Sequence, residues 1–404
     1  MTSADQPQLV AVDWGTSSCR AYLLGETGVV LSERQEPSGV MAVSMRAAAS
    51  GIARDIVFEQ TFEKLCGDFL IGDPGLPVIA CGMVGSNHGW AQAPYRQLPC
   101  DLAAGGDFLT RVRTRMGRTV HIIPGLIVNS SLPGVMRGEE TQILGAISHE
   151  TSTGTHPRGA DRIVLLPGTH SKWARVAGTT VTDFTTCMTG EFFALLTKSS
   201  TLSGLATRAD SPRWEAFDRG LDVAASPIGR VGILSTAFSA RTLVLTGRLA
   251  SDEVHDYLSG LLIGHELTGI VASWLDDGPG EILLCGDPDL SDRYRRALER
   301  RGLAVAVAVR HSAPAGLWQV ARATGLISGL EGPAEPHLTQ VTATTTSENT
   351  DVEVEGLNHE HSNQDGIHRA DRDPARLDER AGSAIRSVRV RRGVPLAGSP
   401  AELP

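Results

Sequence analysis

The sequence predicts an α/β protein of two domains facing a common cleft, followed by a disordered C-terminal tail. Three observations predict it. The chain has 404 residues, more than one ordinary hydrophobic core accommodates, so two domains are the default. The stretches LVAVDWGTSSCRAYLL (9–24) and RIVLLPGTHSKWARV (162–176) repeat one local plan: an apolar run, a Gly-Thr turn, small or polar residues, and a second apolar run. Gly15-Thr16-Ser17-Ser18 aligns with Gly168-Thr169-His170-Ser171, 153 positions later. Beyond about residue 331, Thr, Asp, Glu, Arg, Pro and His dominate and large apolar residues thin out. Such a segment buries too little apolar surface to offset its ordering entropy. The expected division is therefore 1–150, 151–330 and a tail over 331–404.

Each half reads as strands followed by helices. In the first, apolar stretches at 8–13, 20–25 and 28–34 are separated by Gly-containing turns and predict a meander. A helical stretch follows near 45–71, then a buried strand at 77–81 (PVIAC) and one further strand over 121–128 (HIIPGLIV). In GEETQILGAIS (138–148), Ile143, Leu144 and Ile147 recur at helical spacing, which predicts a helix opening just after Arg137-Gly138. The second half repeats the order. Strands are expected at 162–167, 172–177 and 181–187, then helices from about 190 to 274, the longest containing EVHDYLSGLLIGHELTGIVASWL. A strand at 281–286, a helix at 291–301, a strand at 303–309 and a helix at 313–328 complete it.

Composition narrows the function classes. No run approaches the roughly 20 apolar residues that span a bilayer, and MTSADQPQ lacks the basic-then-apolar pattern of a signal peptide. The six cysteines have no paired spacing and several sit in apolar segments, as expected of reduced cysteines in a cytoplasmic protein. A net charge of −9 with no basic cluster argues against nucleic acid as a partner. Small-molecule ligands are expected, with no membrane partner, and a homodimer is left open.

The repeated turn suits phosphate. Successive backbone N–H groups and hydroxyls in a Gly-Thr turn form an anion-binding concavity, so Gly15, Thr16 and Ser17 on one side and Gly168, Thr169 and His170 on the other would grip a polyphosphate between them. The copies differ: the first has Asp13 before its turn, whereas the second has Leu166 there and carries His170 and Lys172 after it. A lone acid suits hydrated Mg²⁺, which takes few protein carboxylates. Neither G-x-x-x-x-G-K-[ST] nor G-x-G-x-x-G occurs, so the main rival nucleotide folds lack their fingerprints.

The order of segments 10–24, 138–148, 162–176, 281–298 and 313–328 resembles the sugar kinase/Hsp70/actin superfamily and its ribonuclease H-like, actin-like ATPase domains: two phosphate turns, two interdomain helices and an adenosine segment. GMVGSNHGWAQAPY (82–95), VMRGEETQILGA (135–146), LLPGTHSKW (165–173), FTTCMTGEFFALL (184–196) and YLSGLLIGHEL (257–267) resemble the 2-dehydro-3-deoxygalactonokinase family more specifically, over about residues 8–328. The resemblance implies ATP-dependent phosphorylation of the terminal hydroxyl of 2-dehydro-3-deoxy-D-galactonate in galactonate breakdown. Alternatives are a kinase of the same fold with another acceptor, or a nucleotide-binding regulator.

Phosphoryl transfer needs a carboxylate to orient the acceptor hydroxyl. The resemblance directs that role to the start of the helix at 138–148, hence to Glu139 or Glu140, although relatives commonly have Asp there; Asp13 is the other candidate and the one suited to Mg²⁺. For the acid substrate, Arg137 offers a planar fork that binds a carboxylate bidentately. Ser86, Asn87 and Trp90 of the 82–95 loop and Lys172 complete the candidate acceptor set. Gly286, in a strand-turn-helix context, is assigned to adenosine, since Asp287 beside it would repel phosphate. Thr189 is expected to cap the helix that it opens.

Overall fold

The N-terminal meander forms because three short apolar segments are joined by tight turns: β1 (Pro7–Trp14), β2 (Cys19–Gly25) and β3 (Val30–Glu36) pair antiparallel in sequence order. A computed structural model describes residues 6–153, 161–275, 282–307 and 312–327; the expected tail, 331–404, lies outside them. The helical stretch expected over 45–71 is two helices, α1 (Val40–Ser50) and α2 (Arg54–Ile71). The break falls at Gly51, which ends α1 at φ +68° and returns its N–H to the Ala47 carbonyl, a left-handed cap that glycine adopts at no steric cost. The fully buried β4 (Val78–Gly82) then runs parallel to β1.

Six short strands follow: β5 (Tyr95–Gln97), β6 (Cys100–Asp101), β7 (Thr110–Arg113), β8 (Thr119–Ile122), β9 (Gly125–Val128) and β10 (Gly134–Met136). The single strand expected over 121–128 is corrected, because Pro124 divides it. Proline cannot donate to a strand ladder, so β8 stays beside β4 in the first sheet while β9 joins β5 and β10 in a separate three-stranded sheet. The expected helix at 138–148 is α3 (Glu139–Thr153).

The second half rebuilds the first. β11 (Asp161–Leu166), β12 (Ser171–Ala177) and β13 (Thr180–Cys187) form another antiparallel meander. Helices α4 (Thr189–Ser199), α5 (Trp214–Ala225), α6 (Ile233–Thr236), α7 (Ser239–Leu245) and α8 (Val254–Trp274) follow. β14 (Ile282–Leu284), α9 (Pro288–Glu299), β15 (Val305–Val307) and α10 (Ser312–Ala323) close the described chain; positions 308–309 of the expected strand lie outside it. The sheets run β3-β2-β1-β4-β8-β7 and β15-β14-β11-β12-β13-β6. Read from β13 to β15, the second repeats the first: a three-stranded meander whose leading strand takes a parallel neighbour, which takes another. β6, from the first half of the sequence, pairs with β13 at the edge of the second sheet.

Helices α3 and α10 pack against each other with almost no side chain between them. A Cβ on Gly145 would fall 1.8 Å from the Ser312 carbonyl oxygen, and one on Gly316 would fall 1.9 Å from that of Thr141. One core cluster combines these helices (Leu144, Ile147, Leu317, Ala321) with Leu9 and Ala11 of β1 and Val164 and Leu166 of β11. A second packs α1 and α2 on the first sheet around Trp14, Phe58, Phe62 and Trp90, and a third packs α5, α8 and α9 on the second. Fully burying each such large side chain contributes about 1.5–3 kcal/mol, and the described residues of both sheets belong to one compact unit.

Candidate active site

Both Gly-Thr turns are backed by the start of a following helix. In the first, the Gly15 N–H donates to Ser18 O at 2.9 Å, closing the β1–β2 hairpin. The start of α1 backs it: Gly39, Val40 and Met41 N–H groups donate to the carbonyls of Ser17, Gly15 and Thr16. In the second, between β11 and β12, the Glu191 N–H at the start of α4 donates to Thr169 O at 2.9 Å. Each helix start thus satisfies backbone donors that would otherwise lack partners. The sterically required glycines are not those of the turns. A Cβ on Gly168 would meet nothing within 4 Å, whereas one on Gly39 would lie 2.3 Å from Thr16 O and one on Gly190 2.4 Å from Gly168 O. Glycine at the helix start is what lets each turn sit flush.

The two turns face the same space. A chamber of about 470 Å³ is lined by Asp13, Gly15 and Thr16 from the first and by Gly168, Thr169, His170 and Lys172 from the second, with Tyr95, Arg137, Glu139 and Gln142. A neighbouring chamber of about 320 Å³ is lined by Arg20, Tyr22, Cys285, Gly286, Asp287 and Pro288. Asp13, Gln142 and Pro167 line both, so Asp13 stands where they adjoin.

The acids differ sharply in environment. Asp13 accepts a long contact from the Cys81 thiol at 3.8 Å; burial raises its pKa above the ordinary carboxylate range, opposed by the nearby Arg20 guanidinium. Glu139, at the first position of α3, is held from two sides. One oxygen pairs with Lys172 Nζ at 2.9 Å and the other accepts the Arg137 backbone N–H at 3.0 Å. This ion pair joins α3 to β12 across the chamber. Lys172 is only 5% exposed and also donates to His170 O at 2.9 Å, so its charge is fixed rather than solvated. Glu140 turns the other way. It is buried, accepts the Gly138 N–H at 2.7 Å and the Thr141 hydroxyl at 3.0 Å, and faces a small apolar cavity beside Leu102, Phe108 and Leu144. Burial, then the neighbouring Glu139 charge, pushes its pKa up to about 7.

Arg137 is buried with its guanidinium over the Tyr95 ring, 4.3 Å from the centroid. Its Nη2 donates to Ala93 O at 2.8 Å, while Nε and Nη1 have no protein partner. A buried charged donor without a partner is costly, and a ligand carboxylate would satisfy it.

Other expected residues lie apart. Trp90 is 7% exposed and packs edge-on against Trp14 in the aromatic core, lining neither chamber. Ser86 is buried with an unpartnered hydroxyl, and Asn87 is exposed, its carbonyl taken by Arg54. Ser17 and Glu140 line neither chamber, whereas Gly286 lines the smaller one. Asp287 caps α9, accepting from the Asp289 and Leu290 N–H groups. Thr189 does not cap α4: Met188 precedes that helix with no side-chain cap, and the Thr189 hydroxyl donates to Glu266 instead. Gln142 and Tyr95 were missed by sequence reasoning. Gln142 stands one turn after Glu139 on the same helix face, a spacing that could have exposed it; nothing local marks Tyr95.

A family model described as 2-keto-3-deoxy-galactonokinase matches residues 13–320, a span that takes in both turns, α3 and most of α10. The chain belongs to this family. Its relatives agree along nearly their whole length. The Rhizobium meliloti (strain 1021) protein DgoK1, assigned as a 2-dehydro-3-deoxygalactonokinase, is 38% identical over 321 residues, covering 78% of this chain and 96% of that one. The 2-dehydro-3-deoxygalactonokinase of Escherichia coli (strain K12) is 34% identical over 319 residues, covering 78% and 97%. A Sinorhizobium meliloti crystal structure with the same assignment aligns with a TM-score of 0.65 at 35% identity, covering 78% of this chain and 98% of the other. The family span stops short of the segment beyond residue 330. Among the described residues no helix is long and apolar enough to cross a membrane.

Proposed function

We propose that the chain is an ATP-dependent 2-dehydro-3-deoxygalactonokinase that phosphorylates the terminal, 6-hydroxyl of 2-dehydro-3-deoxy-D-galactonate. The observation that carries this reading is the shared chamber, where two equivalent turns from two equivalent sheets meet Arg137, Glu139 and Lys172. The repeated sheet order supports an actin-like, ribonuclease H-like fold of two domains divided near residue 150, with the chambers as its cleft. The nucleotide phosphates lie between the Gly15–Ser18 and Gly168–Ser171 turns, and the adenosine lies in the smaller chamber against Gly286. Partners are then small molecules, and the six free cysteines, five of them buried, suit the reducing cytoplasm.

The division of labour follows from position. Arg137 takes the acceptor carboxylate with the donors it leaves unpartnered, and Tyr95 stiffens its plane. Glu139, in the same chamber and held by Lys172 and the Arg137 N–H, orients the acceptor hydroxyl and receives its proton. Lys172 stands close enough to Glu139 to offset charge on the transferring phosphoryl. Asp13 fits Mg²⁺: a single desolvated carboxylate at the junction of the chambers, engaged only weakly by a thiol, would hold the hydrated ion through water. When bound, Mg²⁺ supplies charge neutralisation at the phosphates. Closure of the two lobes would keep water from competing with the acceptor.

Coupled ADP release with 2-dehydro-3-deoxy-D-galactonate and a panel of its epimers tests the reading. ADP release that requires this acid, and is fastest with it, is expected. ATP turnover independent of any sugar acid, or faster with another acceptor, overturns it.

A further inference from the structure

Three of the motif segments, 165–173, 184–196 and 257–267, extend beyond the chamber, and their side chains meet at one buried carboxylate. Glu266, on α8, is 8% exposed. Its Oε1 accepts the Trp173 indole N–H at 2.7 Å. Its Oε2 accepts the Tyr294 hydroxyl at 2.6 Å and, closely, the Thr189 hydroxyl. The single Tyr294 proton is committed to Glu266, so the Ser171 hydroxyl is the donor in its 2.9 Å bond to Tyr294 Oη.

Each donor belongs to an element that bears on the nucleotide. Ser171 and Trp173 begin β12, directly after the second turn. Thr189 opens α4, whose next two residues support that turn: Gly190 abuts Gly168, and Glu191 binds Thr169 O through its N–H and the His170 ring through its carboxylate. Tyr294 lies on α9, whose leading residues Asp287 and Pro288 line the smaller chamber. We propose that Glu266 is the positioning residue of the nucleotide half-site, fixing the second phosphate turn and the start of α9 relative to each other through Trp173, Thr189 and Tyr294. A buried acceptor with three converging donors resists displacement of any one element, because a shift strands the carboxylate or a donor in the interior. The role rests on the kinase reading for what the turn holds, and Glu266 itself touches neither chamber.

The test is calorimetric binding of ADP and of 2-dehydro-3-deoxy-D-galactonate to the full chain. Tyr294→Phe and Thr189→Val each remove one donor and keep the shape. Each is expected to weaken ADP binding about tenfold while acid binding stays within about twofold, since the acceptor contacts lie on the other half. Thr189→Ser retains the hydroxyl and is expected to restore wild-type ADP affinity. The double variant should lose less than the product of the single losses, because both act through one carboxylate. Folded single variants that bind ADP as wild type does overturn the proposal, as does equal weakening of both ligands. Glu266→Gln is expected to weaken ADP at least as much; should it fail to fold, the two donor variants decide. A wild-type chain that binds ADP yet phosphorylates no sugar acid defeats the activity reading alone, and one that binds no adenine nucleotide defeats both.

Discussion

The first and second turns occupy equivalent places in equivalent sheets, yet they carry opposite chemistry. Each joins the two leading strands of a meander, and each is backed by a glycine at the start of the next helix, Gly39 in one case and Gly190 in the other. Before the first turn stands Asp13, paired across the ladder with Arg20; before the second stands Leu166, paired with Lys172. Backbone architecture is what the repeat preserves. The side chains diverge in a way that suits the proposed roles, one acid for a cation and one cation for an anion. The Glu139–Lys172 pair ties the strand after the second turn to the start of α3, with the carboxylate from the helix and the ammonium from the strand.

Breaking that link at the acid is expected to have the largest effect. Glu139→Gln keeps the shape and one oxygen, enough for either Lys172 or the Arg137 N–H but not both, and removes the proton acceptor that the proposed mechanism requires. We expect turnover to fall about a thousandfold with the apparent KM for both substrates little changed. Circular dichroism and coupled ADP release together check this, and near-normal turnover would remove Glu139 from its role. Asp13→Asn sharpens the comparison from the other lip. It should lower turnover about a hundredfold and shift the Mg²⁺ dependence to higher concentration, readable by titrating the metal at saturating ATP. A Mg²⁺ curve unchanged in shape and midpoint would place the cation elsewhere.

Arg137 belongs to neither turn, and its replacement separates acceptor from nucleotide. Loss of a charge-assisted contact is worth about 1.5–3 kcal/mol, so Arg137→Ala should raise the KM for the sugar acid about thirtyfold while the KM for ATP stays put. Arg137→Lys retains charge without the fork and should recover only part of the loss. Parallel rises in both KM values would mean that the guanidinium holds the chamber open instead of gripping the carboxylate.

Much of this was legible in the sequence, for identifiable reasons. The meanders, α3 and α8 are long enough for periodicity to declare itself, and the repeated Gly-Thr turn marked both lips of the larger chamber. What escaped depended on distant contacts. β5, β6, β7 and β10 have four residues or fewer and exist only through their ladders. Trp90 reads equally as a pocket wall or a core residue until Trp14, Phe58 and Phe62 are seen around it. Thr189 looks like a cap because its place in the sequence is a cap's place; only the return of α8 supplies the carboxylate that takes its hydroxyl. The choice between Glu139 and Glu140 is likewise invisible locally, since adjacent helical residues point about 100° apart and the sequence does not say which way the cleft lies.

That last pair yields the smallest expected effect on catalysis and a distinct one on stability. Glu140 faces the core, so Glu140→Gln should leave turnover near wild type. Its carboxyl has a pKa of about 7 when folded, against an ordinary 4.5. Between those values the folded chain holds a proton that the unfolded chain has released, so raising the pH favours unfolding. The stabilisation is complete below about pH 4.5 and is lost as the pH rises through about 7. At roughly 1.4 kcal/mol per pKa unit the loss amounts to at most about 3.5 kcal/mol by pH 8. Glutamine keeps the acceptor for the Gly138 N–H and cannot ionise, so it should remove this slope. Denaturant unfolding at pH 5 and pH 8 should therefore show the stability difference shifting in favour of the variant as pH rises. Identical pH slopes in the two proteins would mean that Glu140 is ionised in the folded chain, with its charge absorbed by Gly138 and Thr141.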